Sequence, residues 1–84
     1  MAYEVFLQPR AHKEFLALPP DIARKITQAL QILELNPRSH QSIKVSGGEG
    51  YRLRAGDYRI LYEIDDPAKK VIVYRIKHRR EAYR

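Results

Sequence analysis

The sequence predicts an α+β domain: an N-terminal strand, an antiparallel helical hairpin, then a three-stranded antiparallel meander, with both helices on one face of a single sheet. Three observations carry this. A stripe of helical period runs through Ile22, Ile26, Ala29, Leu30 and Leu33, with Arg24, Lys25, Gln28 and Gln31 opposite. The pair Pro19–Pro20 separates that stripe from a shorter helical pattern upstream. After Tyr51, three stretches of alternating side chains are parted by tight-turn sequences.

Each element follows from its residues. Ala2–Leu7 reads as a short strand stopped by Pro9. From Arg10 to Leu18, Ala11, Phe15 and Leu18 fall at i, i+4 and i+7, the spacing of an amphipathic helix. Pro20 suits the start of the second helix, which Asp21 caps or enters. That helix ends at Asn36–Pro37, because a residue before proline is pushed out of the helical region. The short link makes the two helices antiparallel neighbours. Residues 38–50 are polar and end in GGEG, which reads as a loop holding at most a short strand at Ile43–Val45. Strands follow at Tyr51–Ala55, Tyr58–Asp65 and Lys70–Lys77, turned at Gly56–Asp57 and at Asp66–Lys69. Residues 78–84 form a tail with room for one helical turn.

Composition bounds the rest. The 84 residues make one domain, 1–84, near the lower limit of what folds without staples. There is no cysteine, so no disulfide or thiolate site is available, which fits a reducing cytoplasm. No apolar run approaches the roughly 20 residues a membrane helix needs, and MAYEVFLQPR does not read as a secretory signal. A cytoplasmic protein with no membrane partner is expected. His12 and His40 lack metal-ligand spacing, and GGEG lacks the spacing of a phosphate loop. No metal or cofactor is expected.

The net charge of +6 is unevenly placed. Residues 1–50 carry six Lys/Arg against five Asp/Glu, and residues 51–84 carry ten against five. Such asymmetry points to nucleic acid or to an acidic protein, or else to a solvated face that maintains solubility. Alternation sets Arg52 and Arg54 on one side of a strand. Arginines in a row cannot be buried without partners, so that side is open to an anion, and RNA phosphate is the leading candidate. On the next strand Tyr58, Ile60, Tyr62 and Ile64 share one side, and Arg59, Leu61, Glu63 and Asp65 the other. Strict alternation then groups Ile72, Tyr74 and Ile76 against Val71, Val73, Arg75 and Lys77. With the more apolar sets against the helices, Arg52, Arg54 and Arg59 gather on the uncovered face, and Arg79, Arg80 and Tyr83 reach its rim. Three guanidiniums there suit one phosphodiester. Tyr58, Tyr62 and Tyr74 read as core.

The ordered set YRLRAGDYRILYEI, then VIVYRIKHRREAYR, together with the Leu-Pro-Pro link and the Asn-Pro stop, resembles the RelE/ParE superfamily of toxins from toxin–antitoxin pairs. It resembles the RelE branch more than the ParE branch, and it covers nearly the whole chain. The resemblance implies a ribosome-dependent endoribonuclease that enters the ribosomal A site and cuts mRNA. In such enzymes the 2′-hydroxyl attacks the adjacent phosphate without a metal, and cationic side chains stabilise the transition state. It implies a cognate antitoxin, the ribosome and mRNA as partners. By the same resemblance Arg52 and Arg54 match a basic pair, Arg59 the arginine after the hairpin, Arg79 the tail arginine and Tyr83 the tyrosine that stacks on a base.

One departure bears on mechanism. Some members carry lysine where this chain has Arg52 and Arg54, and a guanidinium is a poor proton acceptor at neutral pH. His78 is then the natural candidate for proton transfer, because imidazole chemistry suits it, with Tyr83 second. The alternatives are a ParE-like inhibitor of DNA gyrase and a catalytically inert member that only binds RNA or its antitoxin.

Overall fold

Five strands join in one sheet: β1 (Glu4–Leu7), β2 (Ser42–Lys44), β3 (Tyr51–Ala55), β4 (Tyr58–Asp65) and β5 (Lys70–His78). Three helices complete the chain: α1 (Pro9–Leu16), α2 (Pro20–Leu35) and the single turn α3 (Arg79–Ala82). The structure is a computed structural model that describes residues 2–38, 42–44 and 50–82. The strand order is β1-β5-β4-β3-β2.

The β3–β4–β5 meander is antiparallel as expected, but the sheet is mixed and larger than that meander. β1 lies parallel to β5, with Val5 beside Val71 and Leu7 beside Val73. This makes β5 an interior strand, which suits its continuous Val71-Ile72-Val73 run. A real β2 adds to the far edge, antiparallel to β3, with Ile43 opposite Arg52. It covers Ser42–Lys44, and Val45, where the sequence suggested an end, lies outside the described residues.

Prolines set the helix starts. Pro9 opens α1 and Pro20 opens α2, where a missing N–H costs nothing. Pro19 occupies the N-cap of α2, so Asp21 lies in its first turn and complements the helix dipole instead of capping. Asn36 leaves the helix with φ −153° and ψ 92°, the extended geometry that Pro37 imposes. Both helices dock on the sheet: α1 against β5 and β1, α2 against β1 and β3.

The core lies between them. Ala11, Ile26, Ala29 and Leu33 meet Leu53, Ile60, Tyr62, Val71, Val73 and Ile76, all buried. Burial of a side chain such as Ile26 or Leu33 is worth about 1.5–3 kcal/mol. Strict alternation cannot place Val71, Val73 and Ile76 on one face. A β-bulge in the β4–β5 ladder reconciles them: Leu61 pairs with Arg75 and Tyr62 with Val73, leaving Tyr74 as the extra residue. One extra residue flips the side-chain parity of everything beyond it. The grouping of Ile76 with Ile72 and Tyr74 is thereby corrected. Of the three tyrosines read as core, Tyr62 is fully buried, while Tyr58 and Tyr74 are half-buried.

Two polar devices close the exposed margins. β1 ends beside Val73, so the N–H of Ile76 has no strand partner on that edge; the Glu14 carboxylate of α1 accepts it at 2.8 Å. The same carboxylate accepts Arg75 Nε at 2.9 Å. At the opposite end of the sheet, Arg38 grips Asp66 with two hydrogen bonds of 3.0 and 2.7 Å, and Tyr3 donates its hydroxyl to Asp66 at 2.7 Å. Arg38 also donates to the Tyr51 hydroxyl, and the Tyr51 ring stacks on Tyr62 at 5.8 Å between centroids. The hydrogen bonds from Arg38, and secondarily that from Tyr3, hold the Asp66 carboxyl well below the usual carboxylate range. Burial, and after it the charge of Glu63, pushes the Tyr74 hydroxyl up from the usual phenol value.

Candidate functional site

The helices leave one face of the sheet uncovered, and the ladder registers fix which side chains stand on it. Ile60 and Ile76 pair and are buried on the helix side, so their neighbours Arg59 and Lys77, also a pair, stand on the other side. Arg54 pairs with Arg59, and one pleat further along Arg52 pairs with Leu61 and with Ile43 of β2. The open face therefore carries a transverse row, Arg54–Arg59–Lys77, with Arg52 behind it.

The hairpin explains why the row is tight. Ala55 and Tyr58 close a two-residue turn at Gly56–Asp57. Gly56 has φ +61°, while Asp57 has no positive φ, the pattern of a type II′ turn that calls for glycine first. So short a loop holds Arg54 directly opposite Arg59. Two guanidiniums so placed present paired donors to an anion. Ile43, Arg52, Arg54 and Arg59 line a shallow cavity of about 80 Å³. Its three guanidiniums suit a phosphate group.

The opposite end of the same face differs in charge. There Lys70 stands between Glu4 and Asp65, and Phe6 and Ile72 pair beside Glu63. The basic character of the face is thus concentrated at the hairpin end.

The remaining candidates divide. Arg79 reaches the hairpin: its backbone N–H donates to Asp57 O at 2.6 Å, and its guanidinium lies 3.9 Å from the Asp57 carboxylate. Asp57, His78, Arg79 and Arg80 surround an open hollow of about 670 Å³ beside that turn. His78 pairs with Tyr58, one residue beyond Lys77, and so stands on the helix side of the sheet, across from the arginine row. It meets the Tyr58 ring edge-on at 5.1 Å, and its Nδ1 accepts the N–H of Arg80 at 3.2 Å. Tyr83 lies outside the described residues. Among the described residues no cluster of His, Asp or Glu is arranged to hold a metal ion, and no helix is long and apolar enough to cross a membrane.

Sequence reasoning missed Lys77 on this face. Strict alternation sets it with Val71 and Val73, and only the bulge moves it to the side of Arg59. It missed Glu14 as well, because nothing in a helix sequence announces a contact with a strand edge some sixty residues away.

Residues 5–83 match the family model for the ParE toxin of the type II toxin–antitoxin system parDE. The chain belongs to the RelE/ParE superfamily of toxins. Within it the likeness runs to the RelE branch. Toxin RelG of Mycobacterium tuberculosis is 31% identical over 86 residues, which span 100% of this chain and 99% of the relative. Among solved structures, the toxin–antitoxin complex RelBE2 from Mycobacterium tuberculosis matches with a TM-score of 0.83 at 28% identity, over 94% of this chain and 100% of that one. The intact E. coli RelBE toxin–antitoxin complex matches with a TM-score of 0.80 at 26% identity, over 92% and 96%. This RelE-like toxin thus shares its fold with proteins solved as toxin–antitoxin complexes.

Proposed function

We propose that this RelE-like toxin is a ribosome-dependent endoribonuclease that cuts mRNA in the ribosomal A site, in the cytoplasm, and so stops translation. The observation that carries the reading is the transverse basic row, with Arg54 held directly opposite Arg59 and Arg52 behind them on a face the helices leave open. Its chemistry suits attack of a ribose 2′-hydroxyl on the adjacent phosphorus. As the new bond forms and the bond to the 5′-oxygen breaks, negative charge grows on the non-bridging oxygens. Fixed guanidiniums answer that charge without a metal. The products are a 2′,3′-cyclic phosphate and a 5′-hydroxyl. Arg79 extends the cationic surface from the hairpin end, and Tyr83 stacks on a base of the codon, a contact worth about 1–3 kcal/mol in single-strand recognition. Tyr83 from the tail, or His78 by way of water at the sheet's edge, takes the proton of the 2′-hydroxyl.

A cognate antitoxin holds the toxin inactive. The relatives solved as RelB–RelE complexes support a partner of that type. It acts by covering Arg52, Arg54 and Arg59 or by displacing residues 79–84. A complex in which both regions stay as open as in the free toxin rules this out.

The deciding experiment is induction of the toxin in bacteria, followed by primer extension on abundant messages. Discrete cuts inside codons that disappear with Arg59→Ala are expected. A second reading, inhibition of DNA gyrase, is favoured by the ParE description of the matching family model. Arrested replication and gyrase-linked DNA damage with intact mRNA would establish that reading instead. Toxicity unchanged by both Arg59→Ala and Tyr83→Ala points to an inert face and another target.

A further inference from the structure

The arginine row binds and stabilises charge, yet cleavage also needs a proton for the departing 5′-oxygen, and guanidiniums give theirs up too reluctantly. We propose that Lys77 is the general acid of this toxin, donating its ammonium proton to the 5′-oxygen as the phosphorus–oxygen bond breaks. The inference rests on the nuclease reading above and deepens it.

Three observations carry it. Lys77 is the direct ladder partner of Arg59, which in turn faces Arg54, so the three side chains leave the same face of adjacent strands. Neighbouring strands lie about 4.8 Å apart, so Lys77 stands one strand from Arg59 and two strands from Arg54 on the face that grips the phosphate. Lys77 is the one member of the row whose side chain exchanges a proton readily. No ion pair among the described residues engages it. His78, the next residue, stands on the opposite face against Tyr58 and cannot share that geometry. The β4–β5 bulge is what turns Lys77 toward the phosphate.

The step balances. The 2′-oxygen bonds to phosphorus and passes its proton to the acceptor named above, Tyr83 or water leading to His78; the 5′-oxygen leaves with the electron pair of the broken bond and takes the proton of Lys77. Solvent then restores the ammonium.

The test compares two mRNAs on programmed ribosomes: one with the natural 5′-oxygen at the A-site linkage and one with 5′-sulfur, whose thiolate leaves without protonation. General acid catalysis contributes about 10²–10⁴-fold. Lys77→Ala and Lys77→Arg are each expected to lose about that factor on the oxygen linkage and to cut the sulfur linkage at close to the wild-type rate. Arg59→Ala, which removes charge stabilisation, is expected to be slow on both. Equal losses for the Lys77 variants on both linkages, or wild-type cleavage by Lys77→Arg on oxygen, overturns the proposal. A wild-type toxin that cuts neither linkage overturns the nuclease reading itself, and this proposal with it.

Discussion

The Glu14 carboxylate supplies Ile76 with the hydrogen bond that a neighbouring strand would otherwise make. It accepts the Ile76 N–H at 2.8 Å just past the end of β1, and it also takes Arg75 Nε at 2.9 Å. Both side chains are largely buried, with 22% and 17% of their surface exposed. Hydrogen bonds to a charged group contribute about 1.5–3 kcal/mol. Glu14→Ala is therefore expected to lower stability by about 2–3 kcal/mol, read as a shift of the urea midpoint. Glu14→Gln, which keeps the acceptor for Ile76, is expected to cost about half as much. A loss below about 0.5 kcal/mol for Glu14→Ala means the edge is closed by something else.

Tyr62 makes a second such contact inside the core. Its ring is fully buried, and its hydroxyl donates to Pro37 O at 2.6 Å. Tyr62→Phe keeps the ring and removes the donor, leaving a buried carbonyl short of a partner. A loss of about 1–2 kcal/mol is expected in chemical denaturation, with an unchanged denaturant slope. Equal stability of the two proteins would show that water or a shifted donor replaces the hydroxyl.

Asp66 predicts a pH dependence. Its carboxyl is depressed by the Arg38 and Tyr3 hydrogen bonds, so on acidification the unfolded chain takes up the proton first. The contribution is present above the ordinary carboxylate range near 4 and is lost as pH falls through the lower folded-state value. Exposure of both partners keeps it small. The melting temperature of wild type minus that of Asp66→Asn is expected to be positive by a few °C at about pH 6. It should shrink steadily below about pH 4. A difference that grows on acidification contradicts the sign.

The basic row predicts a salt dependence. Each side chain that neutralises one phosphate of a single strand adds about 0.7 to the slope of log affinity against log salt. Arg52→Ala, Arg54→Ala and Arg59→Ala are each expected to reduce the slope for single-stranded RNA by about that amount. Lys70→Ala is the control: Lys70 stands between Glu4 and Asp65 at the other end of the same face. A slope change for Lys70→Ala as large as for Arg54→Ala would mean that the whole face binds without localisation.

Much of the fold was legible in local pattern. β3 and β4 begin and end where alternation and the Gly56–Asp57 turn put them, and β5 extends one residue further than alternation alone suggests. The second helix ends before Asn36–Pro37, as the backbone clash ahead of proline requires. The parallel pairing of β1 with β5 was not legible. It joins residues more than sixty positions apart, and no local period encodes such a partner. The reach of β2 was legible only in outline, since three residues are too few to show a period.

The sequence alone determined that Arg52, Arg54 and Arg59 share one face, because a strand's period of two and a two-residue hairpin leave no other arrangement. Tertiary structure decided who joins them. The bulge at Tyr74 forms because Val71, Val73 and Ile76 must all be buried, and burial of apolar side chains outweighs one irregular rung of the ladder. That one-residue slip turns Lys77 toward the arginines and His78 toward the helices, a reversal invisible to any count along the chain.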